Sequence, residues 1–295
     1  MSAACLPPAA SLPPDEVLAR AGSNFATGFL CLDPERRAGM TAIYAFCRVA
    51  DDAADDAPDP ATARAHVQFW RDELAAAAAG NASTPVGRAV QSALQRFGGG
   101  PAPLVALLDG VAMDIEPRGC VDEAELRLYC WRVASAVGLA CLPVLGATGE
   151  VAQQFAESLG RALQFTNILR DLRTDAEVGR IYVPRTWLAE ARVEPEWLLG
   201  LGPAPVYASG GPVEGLCRRL AAAARAEFAA AHAALRRLSR RSRRALVPAR
   251  VMGAVYRDLL HRLEQRGGAL ILPRTRVPKL RKLWLALLVF AGVRP

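Results

Sequence analysis

Two clusters of acidic residues lie far apart in the chain, and each comes at the end of an apolar stretch with helical spacing. In the first cluster Asp51 and Asp55 are four residues apart, so they share one face of a helix. In the second, Asn167, Asp171 and Asp175 share a face in the same way. Carboxylates stacked on one face repel each other. The pattern therefore predicts positive charge between the two clusters.

Oxygen ligands of this kind suit Mg²⁺, which binds through a few carboxylates and completes its coordination with water and substrate phosphates. Each cluster also carries an arginine, Arg48 or Arg170, whose planar guanidinium can bind a phosphate through two hydrogen bonds. Two such helices facing each other would hold a metal-bridged diphosphate. The alternative is a solvated acidic face on each helix. The apolar residues around the acids count against it, because an unpaired buried carboxylate is costly.

The composition restricts the class of protein. The chain has 295 residues, 52% of them hydrophobic, with a net charge of +7, which is compatible with an anionic substrate or an acidic membrane surface. Its seven cysteines form no CxxC pair and are odd in number, which indicates a reducing, cytoplasmic setting. The first residues show no secretory signal, and we expect no membrane-spanning segment.

Helical periodicity with no alternation of strands and helices predicts an all-α fold. We expect a flexible lead-in over residues 1–14 and a single helical domain over 15–295. The predicted helices run from 34 through the first acidic cluster, and over 62–80, 85–97, 103–115, 122–146, 151–174, 213–245 and 248–267. An extended segment over 180–184, a loop over 200–212 and a basic amphipathic tail complete the prediction.

A group of small residues, Ala134, Ser135 and Gly138, has two interpretations. Small side chains along one helix let a second helix approach closely. The functional alternative is that Ala134 and Gly138 leave room for a long apolar chain beside the diphosphate site.

Three segments resemble the squalene/phytoene synthase family, which consists of all-helical head-to-head prenyl transferases. They read AIYAFCRVADDAADD (42–56), YCWRVASAVG (129–138) and LGRALQFTNILRDLRTDAEVGRIYVP (159–184). The resemblance extends from about Ser23 to Leu287 and implies an isoprenoid-synthase-type bundle around a central cavity. Two departures occur. Ser23-Asn24-Phe25 stands where the family usually has a serine pair before the phenylalanine, and Ala54 stands where some relatives carry an acid.

The resemblance also implies roles for particular residues. Those expected to bind Mg²⁺, or Mn²⁺ in its place, are Asp51, Asp52, Asp55, Asn167, Asp171 and Asp175. Those expected to bind substrate are Tyr44, Arg48, Tyr129, Ala134, Gly138, Gln164, Arg170, Tyr182 and Arg276. Tyr129, Arg48 and Arg170 are expected to be catalytic. Released diphosphate and the hydroxyl of Tyr129 both remain open as acceptors of the reaction's proton.

Within the family, the segments LLDGVAMDIE (107–116) and PARVMGAVYRDLLHRLEQRG (248–267) look most like the bacterial branch associated with hopanoids. This implies condensation of two farnesyl diphosphates to presqualene diphosphate, which squalene and hopene pathway enzymes would then use. Two alternatives remain: a phytoene synthase acting on geranylgeranyl diphosphate, and a full squalene synthase using NADPH. The branch resemblance disfavours NADPH.

Two basic regions lead to rival interpretations. The arginines at 236–244 could bind nucleic acid, but they lack interleaved aromatic residues, so a solvated helix face is favoured and no nucleic-acid partner is expected. The C-terminal tail joins Lys279, Arg281 and Lys282 to a short apolar run ending at Phe290. That tail could lie at the inner face of the membrane as a peripheral contact, or it could pack on the core.

Overall fold

The computed structural model describes residues 6–20, 32–116, 119–267 and 274–292. These residues form helices joined by turns and loops, and none of them lies in a β-strand, which confirms the all-α prediction. The helices are α1 (Pro14–Arg20), α2 (Pro34–Asp55), α3 (Pro60–Ala79), α4 (Pro85–Phe97), α5 (Ala102–Ala112), α6 (Glu123–Leu145), α7 (Glu150–Glu177), α8 (Arg185–Ala191), α9 (Pro212–Arg237), α10 (Arg240–Ala245), α11 (Val247–Arg266) and α12 (Lys279–Phe290). Three short 3₁₀ turns cover Pro8–Ser11, Pro195–Leu199 and Ala204–Tyr207.

Local sequence signals set many of the helix boundaries. Asp33 caps α2 by accepting a hydrogen bond of 2.9 Å from the amide of Arg36, and Thr84 caps α4 in the same way. Both caps are followed by a proline in the first turn. Gly80 and Gly146 end α3 and α6 in the left-handed conformation, at φ 86° and 77°. The predicted ends of these helices therefore agree with the structure to within a few residues.

A large apolar cluster fixes the helices that carry the acids. Phe46 on α2 and Trp70 on α3 are fully buried, with ring centroids 6.0 Å apart in an edge-to-face arrangement. Phe165 on α7 is also fully buried. Helices α7 and α9 have the most extensive contact in the bundle. On both α2 and α7, buried aromatic residues that precede the acids in the sequence thus fix the acidic end of the helix.

Three predicted segments have a different secondary structure in the protein. The helix predicted over 213–245 breaks at Leu238, where Ser239 caps the separate helix α10 through the amide of Ser242. Part of the predicted lead-in, Pro8–Ser11, is a 3₁₀ turn in which Ala10 is buried. Part of the loop predicted over 200–212 is likewise a 3₁₀ turn.

One helix is long and apolar enough to cross a membrane, although the sequence prediction expected none. It is α6, and the residues of its most apolar window are 39% buried inside the bundle. The helix packs against α5 and α7 and contains one π-helical turn, Trp131–Ser135. A core helix passes the same test of length and composition, so the finding is no more than weak support for a membrane span.

Candidate active site

A cavity of about 300 Å³ lies between the C-terminal parts of α2 and α7. Its lining includes Asp51 and Asp55 from α2, and Asn167, Asp171 and Asp175 from α7. The two acidic faces that the sequence set far apart therefore meet across one space. The other lining residues are Ala54, Val111, Asp114, Tyr129, Val133, Gln164, Ile168, Arg170, Arg180 and Tyr182.

A reversal of the chain after α7 closes the cavity. Gly179 adopts φ 76°, a conformation that side chains rarely allow, and the amide of Arg180 then bonds back to the carbonyl of Asp175 at 2.8 Å. The turn directs Arg180 towards α2 and Tyr182 towards Asp114, which follows α5. The short segment after α7 thus joins elements that are distant in the sequence.

Arginines bind three of the predicted metal ligands directly. On α2, Arg48 forms an ion pair with Asp52 one turn later. Across the cavity, Arg180 donates a hydrogen bond of 2.6 Å to Asp55. The first acidic cluster is therefore partly neutralised by cations from within the chain.

Asp171 is held by two arginines at once. Arg274 donates to both of its carboxylate oxygens, at 2.7 and 2.8 Å, and Arg170 also contacts both oxygens. Burial opposes ionisation of Asp171, but the hydrogen bonds from Arg170 and Arg274 outweigh it and lower the pKa of the carboxyl. Asp171 is thus a stable carboxylate in this arrangement.

Asp51 and Asp175 have the opposite character. Burial, followed by the charge of Asp55, raises the pKa of Asp51 to about 7. Burial, followed by the charge of Asp171, raises the pKa of Asp175 to about 7. Nearby arginines lower both values only in part. The cavity therefore contains acidic groups whose charge the protein does not fully compensate.

The donor set fits a divalent cation of the Mg²⁺ type. Besides the carboxylates, the buried amide oxygen of Asn167 has no hydrogen-bond partner among the described residues, while its amide nitrogen donates to Gln164 at 3.3 Å. An orphaned buried oxygen beside uncompensated carboxylates is what an oxygen-coordinated ion would satisfy. Among the described residues, however, no three acidic, histidine or cysteine side chains already converge on one point. Binding would thus require the carboxylates to move from their arginine partners.

Tyr129 and Tyr182 form one wall of the cavity together with Asp114. The rings stack with centroids 4.7 Å apart, and each hydroxyl donates a hydrogen bond of 2.9 Å to a different oxygen of Asp114. Burial and the Asp114 charge raise the pKa of Tyr129 well above its ordinary value. Burial raises the pKa of Asp114 to about 6, although both tyrosines stabilise its charge. The wall is therefore a neutral phenol pair bound to one carboxyl group.

Some predicted residues lie outside the lining of this cavity. Tyr44, Arg48 and Asp52 are partly exposed on α2, next to it. Gly138 lies against α7, where an added Cβ would be 3.1 Å from the carbonyl oxygen of Ala156. Ser135 donates to the carbonyl of Glu157 at 2.7 Å. Close packing of helices therefore accounts for the small residues of α6, and a role for Ala134 and Gly138 in holding an apolar chain stays a prediction.

The C-terminal arginine was predicted at Arg276, but the contact with the acidic face comes from Arg274. Residues 274–278 lie in no helix or strand, and their burial alternates as in an extended segment, with Thr275 and Val277 buried and Arg274 and Arg276 exposed. Two residues of extended chain advance by about 7 Å, so Arg276 lies farther along the same side, exposed and near Lys282. The predicted segment Ser23-Asn24-Phe25 lies outside the described residues.

Three functional candidates were missed by the sequence interpretation: Asp114, Arg180 and Arg274. Asp114 and Arg180 lie inside the segments that carried the resemblance, yet neither has a partner at helical spacing that would signal a site. Arg274 stands in a Pro- and Arg-rich linker with no periodicity. Only the tertiary structure brings them to the acids.

Comparison with known proteins agrees with this geometry. The squalene/phytoene synthase family matches residues 18–283. A presqualene diphosphate synthase of Zymomonas mobilis is 36% identical over 90% of this chain and 88% of its own. A phytoene synthase of Mycobacterium tuberculosis is 39% identical, over 58% of this chain and 56% of its own. Among solved structures, a dehydrosqualene synthase crystallised with a ligand superposes with a TM-score of 0.81 and 25% identity, covering 95% of this chain and 94% of its own.

An all-helical bundle with two opposed acidic faces around one cavity defines the isoprenoid-synthase class of enzyme. Within that class, the chain belongs to the squalene/phytoene synthase family. It is therefore an enzyme of the prenyltransferase type.

Proposed function

We propose that the protein condenses two molecules of farnesyl diphosphate head to head into presqualene diphosphate, with release of one diphosphate. The observation that carries this proposal is the single cavity in which Asp51, Asp55, Asp171 and Asp175 meet Arg170 and Arg180. Two presqualene diphosphate synthases match over 84–90% of the chain and a third over 58%, and the two long matches support this product over phytoene. The matched phytoene synthases cover only 58–62% of it.

The chain provides places for both a cation and a phosphate. Bound Mg²⁺, or Mn²⁺ in its place, would be held by the carboxylates of the two faces and by Asn167, and would supply Lewis-acid neutralisation of the departing diphosphate. Arg48 and Arg180 now bind a carboxylate through one hydrogen bond each and Arg170 through two, and guanidinium groups can also bind phosphate through two hydrogen bonds. We infer that these arginines exchange a carboxylate for a substrate phosphate when the site is filled.

The reaction breaks the C1–oxygen bond of one substrate, the π bond of the second and one C1–H bond, and it forms two carbon–carbon bonds. The C1–oxygen bond of one substrate breaks and its electron pair leaves with diphosphate. The double bond of the second substrate then attacks C1, and loss of a proton closes the cyclopropane ring. Apolar groups on the cavity wall, among them Val111, Val133 and Ile168, would exclude water that would otherwise trap the cation.

The hydrogen bonds of Tyr129 constrain how the proton can leave. Its hydroxyl is protonated and donates to Asp114, so it can accept a substrate proton only if its own proton passes to that carboxylate. Released diphosphate is the alternative acceptor. In both routes Asp114 holds Tyr129 and Tyr182 in place, and we assign it as a positioning residue.

The function is tested by offering farnesyl and geranylgeranyl diphosphates separately with Mg²⁺, and identifying products by mass. We expect presqualene diphosphate from farnesyl diphosphate and no conversion to squalene when NADPH is added. Phytoene from geranylgeranyl diphosphate as the preferred reaction would overturn the substrate assignment. Squalene formed with NADPH would overturn the proposed end point.

A further inference from the structure

The last described helix, α12, packs on the bundle with only one of its sides. Leu285 and Val289 are buried, and they form a small apolar cluster with Ala254 of α11. Arg281 reinforces the contact by donating to Asp258 of α11 at 2.8 Å. The position of α12 on the protein is therefore fixed by both packing and charge.

The opposite side of α12 carries a row of large apolar side chains, which we call the apolar stripe. Each member lies three or four residues from another member, which keeps them on one helix face. Each is between 53% and 83% exposed: Leu280, Leu283, Trp284, Leu287 and Phe290. Other exposed large apolar residues, such as Leu6 and Leu201, are scattered singly over the surface, which is normal for a protein. A contiguous stripe of exposed apolar side chains is unusual on a protein surface.

Three cations lie together at the N-terminal end of the stripe: Arg276, Lys279 and Lys282. Burial, together with the charges of Arg276 and Lys279, lowers the pKa of Lys282, which places the three groups within electrostatic reach of each other. In the part of the chain that the structure describes, no acidic side chain forms an ion pair with any of them. The stripe thus ends in positive charge that the protein leaves uncompensated.

We propose that this face of α12 docks the protein on a bilayer surface that carries anionic headgroups. At 12 residues the helix is about 18 Å long, too short to cross a hydrocarbon core of about 30 Å, so it would lie in the plane of the interface. The stripe would enter the headgroup boundary, with Trp284 at that level and the three cations against lipid phosphates.

A second copy of the chain fits this face less well. An isologous contact would place α12 against α12, and the helix contains no acidic residue that could neutralise the cations of its partner. An anionic lipid surface satisfies both features of the face, the apolar area and the positive charge.

The docking face is connected to the cavity by a short segment of chain. Arg274, which binds Asp171, precedes Lys279 by five residues, a span of at most about 18 Å when extended. Under the proposed function, the substrate site would therefore open close to the membrane surface. This consequence rests on the proposed function, whereas the docking itself does not.

The test is sedimentation of the full chain with vesicles of phosphatidylglycerol and phosphatidylcholine, beside vesicles of phosphatidylcholine alone. We expect binding to the anionic vesicles, with a blue shift of tryptophan emission that the variant Trp284→Phe abolishes. Leu283→Ser combined with Leu287→Ser should weaken binding by at least about tenfold. Lys279→Gln and Lys282→Gln should each weaken it by about fivefold.

The matched control is Leu6→Ser combined with Leu201→Ser, which removes two apolar side chains outside α12 that are more exposed than Leu283 and Leu287. Circular dichroism establishes that each variant is folded. The proposal is overturned if the wild-type chain does not sediment with anionic vesicles, or if the stripe and control variants bind alike. It is also overturned if the stripe variants turn a dimer into a monomer without any vesicle binding, since the occupant would then be a second copy. Vesicle binding without prenyl transfer would refute the proposed function alone.

Discussion

The uncompensated charge of the cavity leads to a prediction about stability. We expect Asp51→Asn to stabilise the metal-free protein while abolishing turnover. The carboxyl pKa is raised from 3.8 to about 7 by burial and by neighbouring acids, so ionised Asp51 works against folding. The amide keeps the shape of the side chain and removes its charge. Asp171→Asn should act in the opposite direction, because it leaves Arg170 and Arg274 without the carboxylate that both now bind.

The size of the effect follows from linkage. Moving a carboxyl pKa from 3.8 to about 7 costs the folded state about 4 kcal/mol at pH 7. Asp51 is partly exposed, so water screens part of this cost, and we expect Asp51→Asn to gain about 1–2 kcal/mol, or roughly 2–6 °C in Tm. We expect Asp171→Asn to lose about 1–3 kcal/mol, less than for a fully buried pair because Arg274 is half exposed.

The raised pKa also determines how the stability gain of Asp51→Asn should change with pH. Well below pH 3.8 Asp51 is protonated in both folded and unfolded chains, so Asp51→Asn should change little there. As pH rises from 4 to 7 the unfolded chain ionises first, the wild-type protein loses stability, and the gain of the variant should grow. Thermal and urea unfolding in the presence of EDTA measure this directly. A variant that is destabilised, or a gain that does not change between pH 4 and 7, would refute the reasoning.

Three further predictions concern the same cavity. Mg²⁺ binding at pH 7 should release about one proton in total from Asp51 and Asp175, because both pKa values lie near 7; calorimetry in buffers of different ionisation enthalpy measures this, and release that does not diminish by pH 9 would contradict it. Asp114→Asn should lower kcat by about 10- to 100-fold and also raise KM, because Asp114 positions Tyr129 and Tyr182; a fall in kcat with unchanged KM would contradict the positioning role and favour proton transfer through Tyr129. Arg274→Gln should raise KM by about tenfold, while the neighbouring Arg276→Gln should leave KM within about twofold; equal effects would mean that Arg274 has no special role.

Features set by residues close together in the sequence could be predicted, whereas features set by tertiary contacts could not. The acids of α2 and α7 were recognisable because their spacing of four residues is a local property, and the caps that begin α2 and α4 are local too. The break at Leu238 was missed because the flanking arginines and alanines favour a helix on both sides of Ser239. The choice of Arg274 over Arg276 depends on where an extended segment crosses α7, which no periodicity encodes.

The sequence interpretation did not predict that arginines of the chain bind the acidic residues, and these ion pairs change how the site is understood. Asp52, Asp55 and Asp171 each bind an arginine, whereas Asp51 and Asp175 form no ion pair with the described residues and burial raises the pKa of each to about 7. The uncompensated negative charge of the cavity is therefore concentrated at Asp51 and Asp175, one on each helix. A cation that satisfied these two acids would also draw the paired carboxylates away from their arginines, and so free guanidinium groups for phosphate. Before substrate binds, these carboxylates hold the arginines in place. When a cation and a diphosphate enter together, the carboxylates would turn to the cation and the arginines to the phosphate.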